Sequence, residues 1–320
     1  MFVFIYRHNY MNSGQIGNDF DFSDSNNVTG YPYFVVPNIV HYIIFGKNEI
    51  QFGHYVSILS VLKNQKPDLI WIHCNCDELN GEYYKKVIER VKQTNTLLEI
   101  RRIEKPLEIF GQKLSKTNLN WHASDVSRLR ILQEFGGIYL DRDVYIVKSL
   151  DVFRKFEMTL NRDKGRYLSS GIFIASKNAR FLKMWIESYR HYYPDWILNI
   201  QKIPSRKMDR YPHLVHRVIR KFAVHQYVCR MLYLDYYQNW KNEFYAIHLF
   251  IRGNHLTNPK WFCGKKFKKV KVKKFNEKIV QSLNNTFGEM CRELNLWRFI
   301  FYCIQFNKLD EFWIKFIFYY

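Results

Sequence analysis

The feature that most constrains the fold is a succession of short apolar runs with helix-spaced stretches between them. Val35 to Gly46, Leu69 to Cys74 and Leu97 to Ile100 are too short for the helices of a bundle and are bounded by turn residues, so they read as strands. Between them, Phe52 to Leu62 places Val56, Leu59 and Leu62 on one helical face, and Tyr83 to Val91 reads as a second helix. Strand alternating with helix predicts an α/β fold of parallel strands joined by crossover helices. In such sheets ligands sit beyond the carboxyl ends of the strands, and that is where chemistry is to be sought.

At 320 residues and 47% apolar, the chain can bury a full core, and no internal repeat appears. The expected organisation is a flexible leader over residues 1–33, one domain over 34–290 and an amphipathic helical tail over 291–320. The net charge of +20 attracts polyanions and anionic membrane surfaces without specifying a fold. Seven of the ten residues from Lys265 to Lys274 are lysines. That run suits either nucleic acid or a solvated edge strand, and the second reading is preferred because no nucleic-acid-binding motif accompanies it. Six cysteines lack the paired spacing of a zinc site; disulfides and free buried thiols both remain open. Neither a signal peptide nor a spanning segment is read at the N-terminus.

The segment His122 to Gly137 reads as a helix stopped by glycine, with Asp125 and Arg128 on one face. The next element is a short apolar strand, Ile138 to Leu140, which delivers Asp141 and Asp143 at its end. On extended backbone these carboxylates point to opposite faces, but a turn after the strand can bring both to one site. Hard divalent cations favour such oxygen ligands, and Mg²⁺ or Mn²⁺ commonly bridges carboxylates and a substrate diphosphate. An Asp-x-Asp triplet alone is common; its place after the glycine-stopped helix gives it weight.

The block from His122 to Asp151, with Ala-Ser-Asp-x-x-Arg, Phe-Gly-Gly-Ile-Tyr-Leu-Asp-x-Asp and Ser149-Leu150-Asp151, resembles the sugar-binding region of DXD-motif glycosyltransferases, family 32 and its close relatives. Pro37 to Tyr42 is similar to the family's opening strand, Ser169 to Ala175 to a second strand of the site, and Tyr245 to Leu249 to its late histidine motif. The resemblance implies a GT-A type nucleotide-binding sandwich, a mixed sheet with flanking helices, and retention of anomeric configuration. It implies transfer of a hexosyl or N-acetylhexosaminyl group from a UDP-sugar to a glycan or glycolipid acceptor, with Mn²⁺ or Mg²⁺ as cofactor. By position, Asp125 and Arg128 would hold the donor's sugar and phosphate, with His41, Tyr42 and Ser170 also on the donor side. Asp141 would contact ribose and sugar hydroxyls, Asp143 would ligate the metal, and His248 would complete the metal or diphosphate site.

Three positions depart from the pattern: Ile44 stands where a base-stacking tryptophan is often found, Ser170 replaces an asparagine, and Arg142 separates the two aspartates. A catalytically inactive nucleotide-sugar-binding or glycan-binding relative therefore stands as an alternative, beside a basic nucleic-acid-binding protein. Alone, His248 reads more readily as a core histidine, given its apolar neighbours, and His41 as a structural residue at the strand end. Trp121 reads as a staple at the helix start rather than a sugar platform. The resemblance implies a Golgi or secretory location, and an anionic membrane surface is a further expected partner.

Overall fold

The computed structural model describes residues 21–23, 25, 27–163, 165–225, 228–252, 255–256 and 275–296. The first 20 residues of the expected leader, the lysine-rich run 265–274 and the stretch 297–320 lie outside the described residues.

The expected alternation is present. Strand β1 (Ile39–Ile44) is followed by helix α1 (Phe52–Ser60), β2 (Leu69–Cys74), α2 (Glu82–Val91) and β3 (Leu97–Arg102). A small hairpin, β4 (Glu108–Ile109) with β5 (Gln112–Lys113), leads to the long helix α3 (Leu119–Phe135) and strand β6 (Gly137–Leu140). Then come β7 (Val144–Ile146), β8 (Met158–Asn161), β9 (Ile172–Ala175), α4 (Arg180–Glu187), α5 (Ile203–Arg210), β10 (His216–Val218) and β11 (Phe222–Ala223). Helices α6 (Val228–Tyr233) and α7 (Trp240–Glu243), strand β12 (Ala246–His248), and helices α8 (Glu277–Gln281) and α9 (Thr286–Glu293) complete the order used below.

Seven strands form one mixed sheet in the order β10-β8-β9-β6-β1-β2-β3, with β9 antiparallel to both its neighbours and the remaining pairs parallel. Every residue of β1, β2 and β6 is buried, as expected of central strands covered on both faces. By contrast β3, at the edge, carries Glu99, Arg101 and Arg102 and is half-exposed. A second, three-stranded sheet, β11-β12-β7, joins residues 144–146 to the far end of the domain. Within the segment expected as a leader, Phe22 is buried and the Tyr31 amide donates to the Lys155 carbonyl. On the opposite side of the chain, Phe287, Met290 and Cys291 of α9 are buried in the same core.

Two consecutive glycines set the junction of α3 and β6. Gly136 (φ +66°) caps α3 through its amide to the Leu132 carbonyl. At Gly137 (φ +112°), a Cβ would fall 2.6 Å from His41 Nε2 and 2.7 Å from the Ile39 carbonyl. Only glycine lets β6 lie this close to β1, and that closeness fixes where the strand's acidic end emerges.

His41 and Tyr42, expected on the donor side, are instead core residues. Both are fully buried in the central strand, below the edge where loops gather, because helices cover β1 on each face. His41 Nε2 donates to the Gly136 carbonyl (2.8 Å), so its Nδ1 accepts from His73 Nε2 (3.1 Å), and His73 Nδ1 is left buried without a partner. On the other face the Tyr42 hydroxyl donates to Ser57 Oγ (2.9 Å), which itself donates to the Val144 carbonyl (2.6 Å). Tyr42 thus supports β7 from beneath.

Burial presses the two imidazoles down, His41 to about 4 and His73 to about 2. Below the ordinary imidazole value of about 6.5, the unfolded chain takes up protons that the folded chain refuses. The contribution is therefore flat above that pH, and stability is lost as pH falls from it towards about 4. For His41 alone the loss reaches roughly 3 kcal/mol at the low end. The ring resonances of His41 and His73 should keep their neutral shifts from about pH 7 to 5 while the urea midpoint falls. Rings that titrate near the ordinary value while the protein stays folded would contradict this account.

Candidate active site

The turn after β6 gathers the site. Asp141 ends the strand, its amide donating to the Gly171 carbonyl (2.8 Å) beside β9, and the Val144 amide closes the turn onto the Asp141 carbonyl (3.1 Å). Strand β7 then pairs antiparallel with β12, setting Val144 opposite His248. That register carries His248 across 105 residues of sequence to Asp143, with Nε2 2.9 Å from Oδ1. Asp141 Oδ2 lies 3.9 Å from the same nitrogen. The remaining Asp143 oxygen accepts from the Ile251 amide (2.7 Å), and its carbonyl accepts from the Leu249 amide (2.8 Å). Burial opposes a charge on His248, yet the Asp143 and Asp141 carboxylates hold its pKa above the ordinary imidazole value.

Asp125 and Arg128 come to the same place, but one layer deeper. Their side chains are 2% and 6% exposed, against 26% for Asp141, 14% for Asp143 and 16% for His248. Arg128 Nη2 sits 3.0 Å from Asp125 Oδ1 and Nη1 sits 3.3 Å from Asp141 Oδ1. Nη1 also donates to the Ser170 carbonyl, Nη2 to Ser124 Oγ (3.1 Å), and the guanidinium lies over the Tyr139 ring. Burial raises the Asp125 pKa, with Arg128 opposing. Asp125 Oδ2 accepts from the Trp196 indole (2.6 Å). Ser170 is itself buried and meets Arg128 through its backbone carbonyl.

Sequence reasoning assigned no role to Tyr139, Gly171 or Trp196. The Tyr139 hydroxyl donates to Asp141 Oδ1 (2.8 Å), and a Cβ at Gly171 would stand 3.3 Å from Asp141 Oδ2. Both lie inside or beside the motifs around the acidic turn, and that placement is the signal the sequence offers for them. Trp196 has no such signal, because only the tertiary fold brings it to Asp125. Trp121, expected as a staple, packs against Trp196 with ring centroids 5.5 Å apart. Ile44 is buried and Arg142 is exposed.

Residues 55–162 match the family model of the glycosyltransferase sugar-binding region containing DXD motif. This stretch of the chain is thus similar to the sugar-binding region of DXD-type glycosyltransferases. Relatives of this DXD region include Glucan organizing enzyme 1 of Cryptococcus neoformans var. grubii, 28% identical over 174 residues, covering 48% of this chain and 44% of that one. Lactosylceramide 4-alpha-galactosyltransferase of Rattus norvegicus is 30% identical over 165 residues, 42% of each chain. The chain thus spans less than half the length of these curated relatives. Among solved structures, a galactosyltransferase in complex with donor and acceptor sugar analogues superposes with a TM-score of 0.38 at 15% identity, over 66% of this chain and 86% of that one. The glycosyltransferase GlyE of Streptococcus pneumoniae gives 0.45 at 10% identity, over 86% and 64%.

Asp141 and Asp143 of the DXD region, with His248 from beyond it, offer two carboxylates and an imidazole, the right kinds of donor for Mn²⁺ or Mg²⁺. Among the described residues, no group of three such side chains already stands in ligand spacing. Asp143 and His248 hydrogen-bond to each other instead, and a cation would have to replace that bond.

Removing Arg128 would leave two carboxylates facing each other with one of them buried. Arg128→Met is expected to destabilise the protein by about 3–5 kcal/mol, the scale for breaking a buried ion pair. Asp143→Asn, at a partly open position that keeps its side-chain acceptor, should cost far less. Urea unfolding of both variants checks the order; a tolerated Arg128→Met would show that Asp125 is neutral in the folded protein.

Proposed function

We propose that the chain is a retaining glycosyltransferase that moves a hexosyl or N-acetylhexosaminyl group from a UDP-sugar to a glycan or glycolipid acceptor. The observation that carries this reading is the convergence of Asp141 and Asp143 with His248, brought from opposite ends of the domain to the carboxyl edge of β6. In this reading the fold serves as a GT-A type nucleotide-binding sandwich. Asp143 and His248 hold Mn²⁺ or Mg²⁺, which supplies Lewis-acid stabilisation of the leaving diphosphate. Asp141, pinned by Tyr139 and Arg128, presents its outer oxygen to ribose or sugar hydroxyls. Arg142, exposed between the two aspartates, faces phosphate in this reading. Arg128 is too deeply engaged for that task, and its part is to hold Asp141 and the Ser170 carbonyl in place.

Breaking the sugar–oxygen bond puts negative charge on the leaving phosphate, and preorganised charge at that point is the largest catalytic contribution available here. No side chain is assigned as nucleophile. The departing phosphate oxygen takes the acceptor's proton on the same face of the sugar, which retains configuration. A Golgi or other secretory setting belongs to the same proposal: the Cys74–Cys76 disulfide and the disulfide-bonded Cys229 agree with an oxidising compartment. Among the described residues no helix is long and apolar enough to cross a membrane. An anionic membrane surface presenting the acceptor is part of the proposal on charge alone.

Hydrolysis of a panel of UDP-sugars with Mn²⁺, by wild type and Asp143→Ala, tests this directly. Turnover of one donor should fall about 100-fold or more in the variant and on chelation. Equal turnover by both proteins would end the metal role; donor binding without turnover would mark an inactive relative.

A further inference from the structure

Trp196 lies outside the matched DXD region, in the segment between α4 and α5, yet its side chain reaches the centre of that region. Its indole is the one hydrogen-bond donor to the Asp125 carboxylate among the described residues. The other carboxylate oxygen, Oδ1, is buried and lies 3.0 Å from Arg128 Nη2 without forming a hydrogen bond. Trp121, in the first turn of α3, braces the indole from outside. Arg128 is divided, Nη2 towards Asp125 and Nη1 towards Asp141, so the position of the first acid governs how the guanidinium serves the second.

We propose that Trp196 is a positioning residue for the donor site: by donating its indole N–H to Asp125, it fixes the carboxylate that holds Arg128 in place against Asp141. The proposal rests on reading the acidic turn as the donor site. A buried carboxylate deprived of its donor either swings towards the nearest cation or takes up a proton. The first outcome draws the guanidinium off Asp141; the second releases it to close more tightly on Asp141. In both cases the oxygens offered to a ligand move. The groups facing Asp125 are Arg128 on its own helix, Asp141 at the end of β6, and Tyr189 and Tyr192 beyond α4. Arg128 is already shared among Asp141, Ser124 and the Ser170 carbonyl, and the Tyr192 hydroxyl is bonded to the Ser115 amide and His122.

The test compares Trp196→Phe, which keeps an apolar ring against Trp121 but loses the N–H, with Trp196→His, which keeps an N–H on a smaller ring. Hydrolysis of UDP-galactose with Mn²⁺ should lose about tenfold or more in kcat for the Phe variant, and less for the His variant. Packing alone would rank them the other way, since Phe fills the site better. In an Asp125→Leu background, where no side-chain acceptor remains, the Phe change should add nothing, because coupled residues are not additive. A Phe variant at least as active as the His variant, or a full loss persisting in the Asp125→Leu background, overturns the proposal. A second readout needs no turnover: the indole N–H resonance missing from Trp196→Phe should move in Asp125→Asn. If it stays in place the contact does not exist, whatever the chain catalyses. If it moves but no UDP-sugar is hydrolysed by wild type, the positioning contact stands and the transferase reading falls.

Discussion

The site depends on one buried cation. Arg128 is 6% exposed and stands between Asp125 and Asp141, over the face of Tyr139 and against the Ser170 carbonyl. Two acids this close could not both stay ionised in so dry a place without it. The guanidinium suits the task because its planar fork serves several acceptors in fixed directions, which an ammonium could not do. Through these bonds helix α3, strand β6 and the start of β9 become one rigid unit, and the acidic turn projects from it. The turn is thus presented by elements rather than by a free loop, as positioning to a fraction of an ångström requires.

A second constraint acts from the opposite side. Ser57 and Ser60 of α1 bond to the backbone of β7, and Tyr42 backs Ser57 from within the sheet. The strand leaving the turn is therefore anchored to the first helix of the domain, while β12 pairs along its other edge. Asp143 inherits its position from both attachments.

Much of this was legible in the residues. The continuous apolar runs of β1 and β2, and the glycine pair after α3, marked buried parallel strands and a helix stop because each is a local pattern with a local cause. Asp141, Asp143, Asp125 and Arg128 were legible as a group because they fall within one helix–strand unit of about twenty residues. Depth was not legible. His41 and Tyr42 occupy a motif position that suggests ligand contact, but being mid-strand in a sheet covered on both faces sends their side chains into the core. Asp125 and Arg128 likewise sit beneath the surface rather than at it. Trp196 could not be read at all, since nothing in Asp195-Trp196-Ile197 announces a partner 71 residues away.

The pairing of β7 with β12 also has a meaning in time. Asp143 meets His248 only when a strand 105 residues further along the chain has docked, and contacts of such long sequence separation are among the last that a folding chain can afford entropically. The acidic turn and its arginine can form within a compact local unit, whereas the imidazole arrives with the second half. The Asp143–His248 contact is thus completed only when the second half of the domain closes on the first.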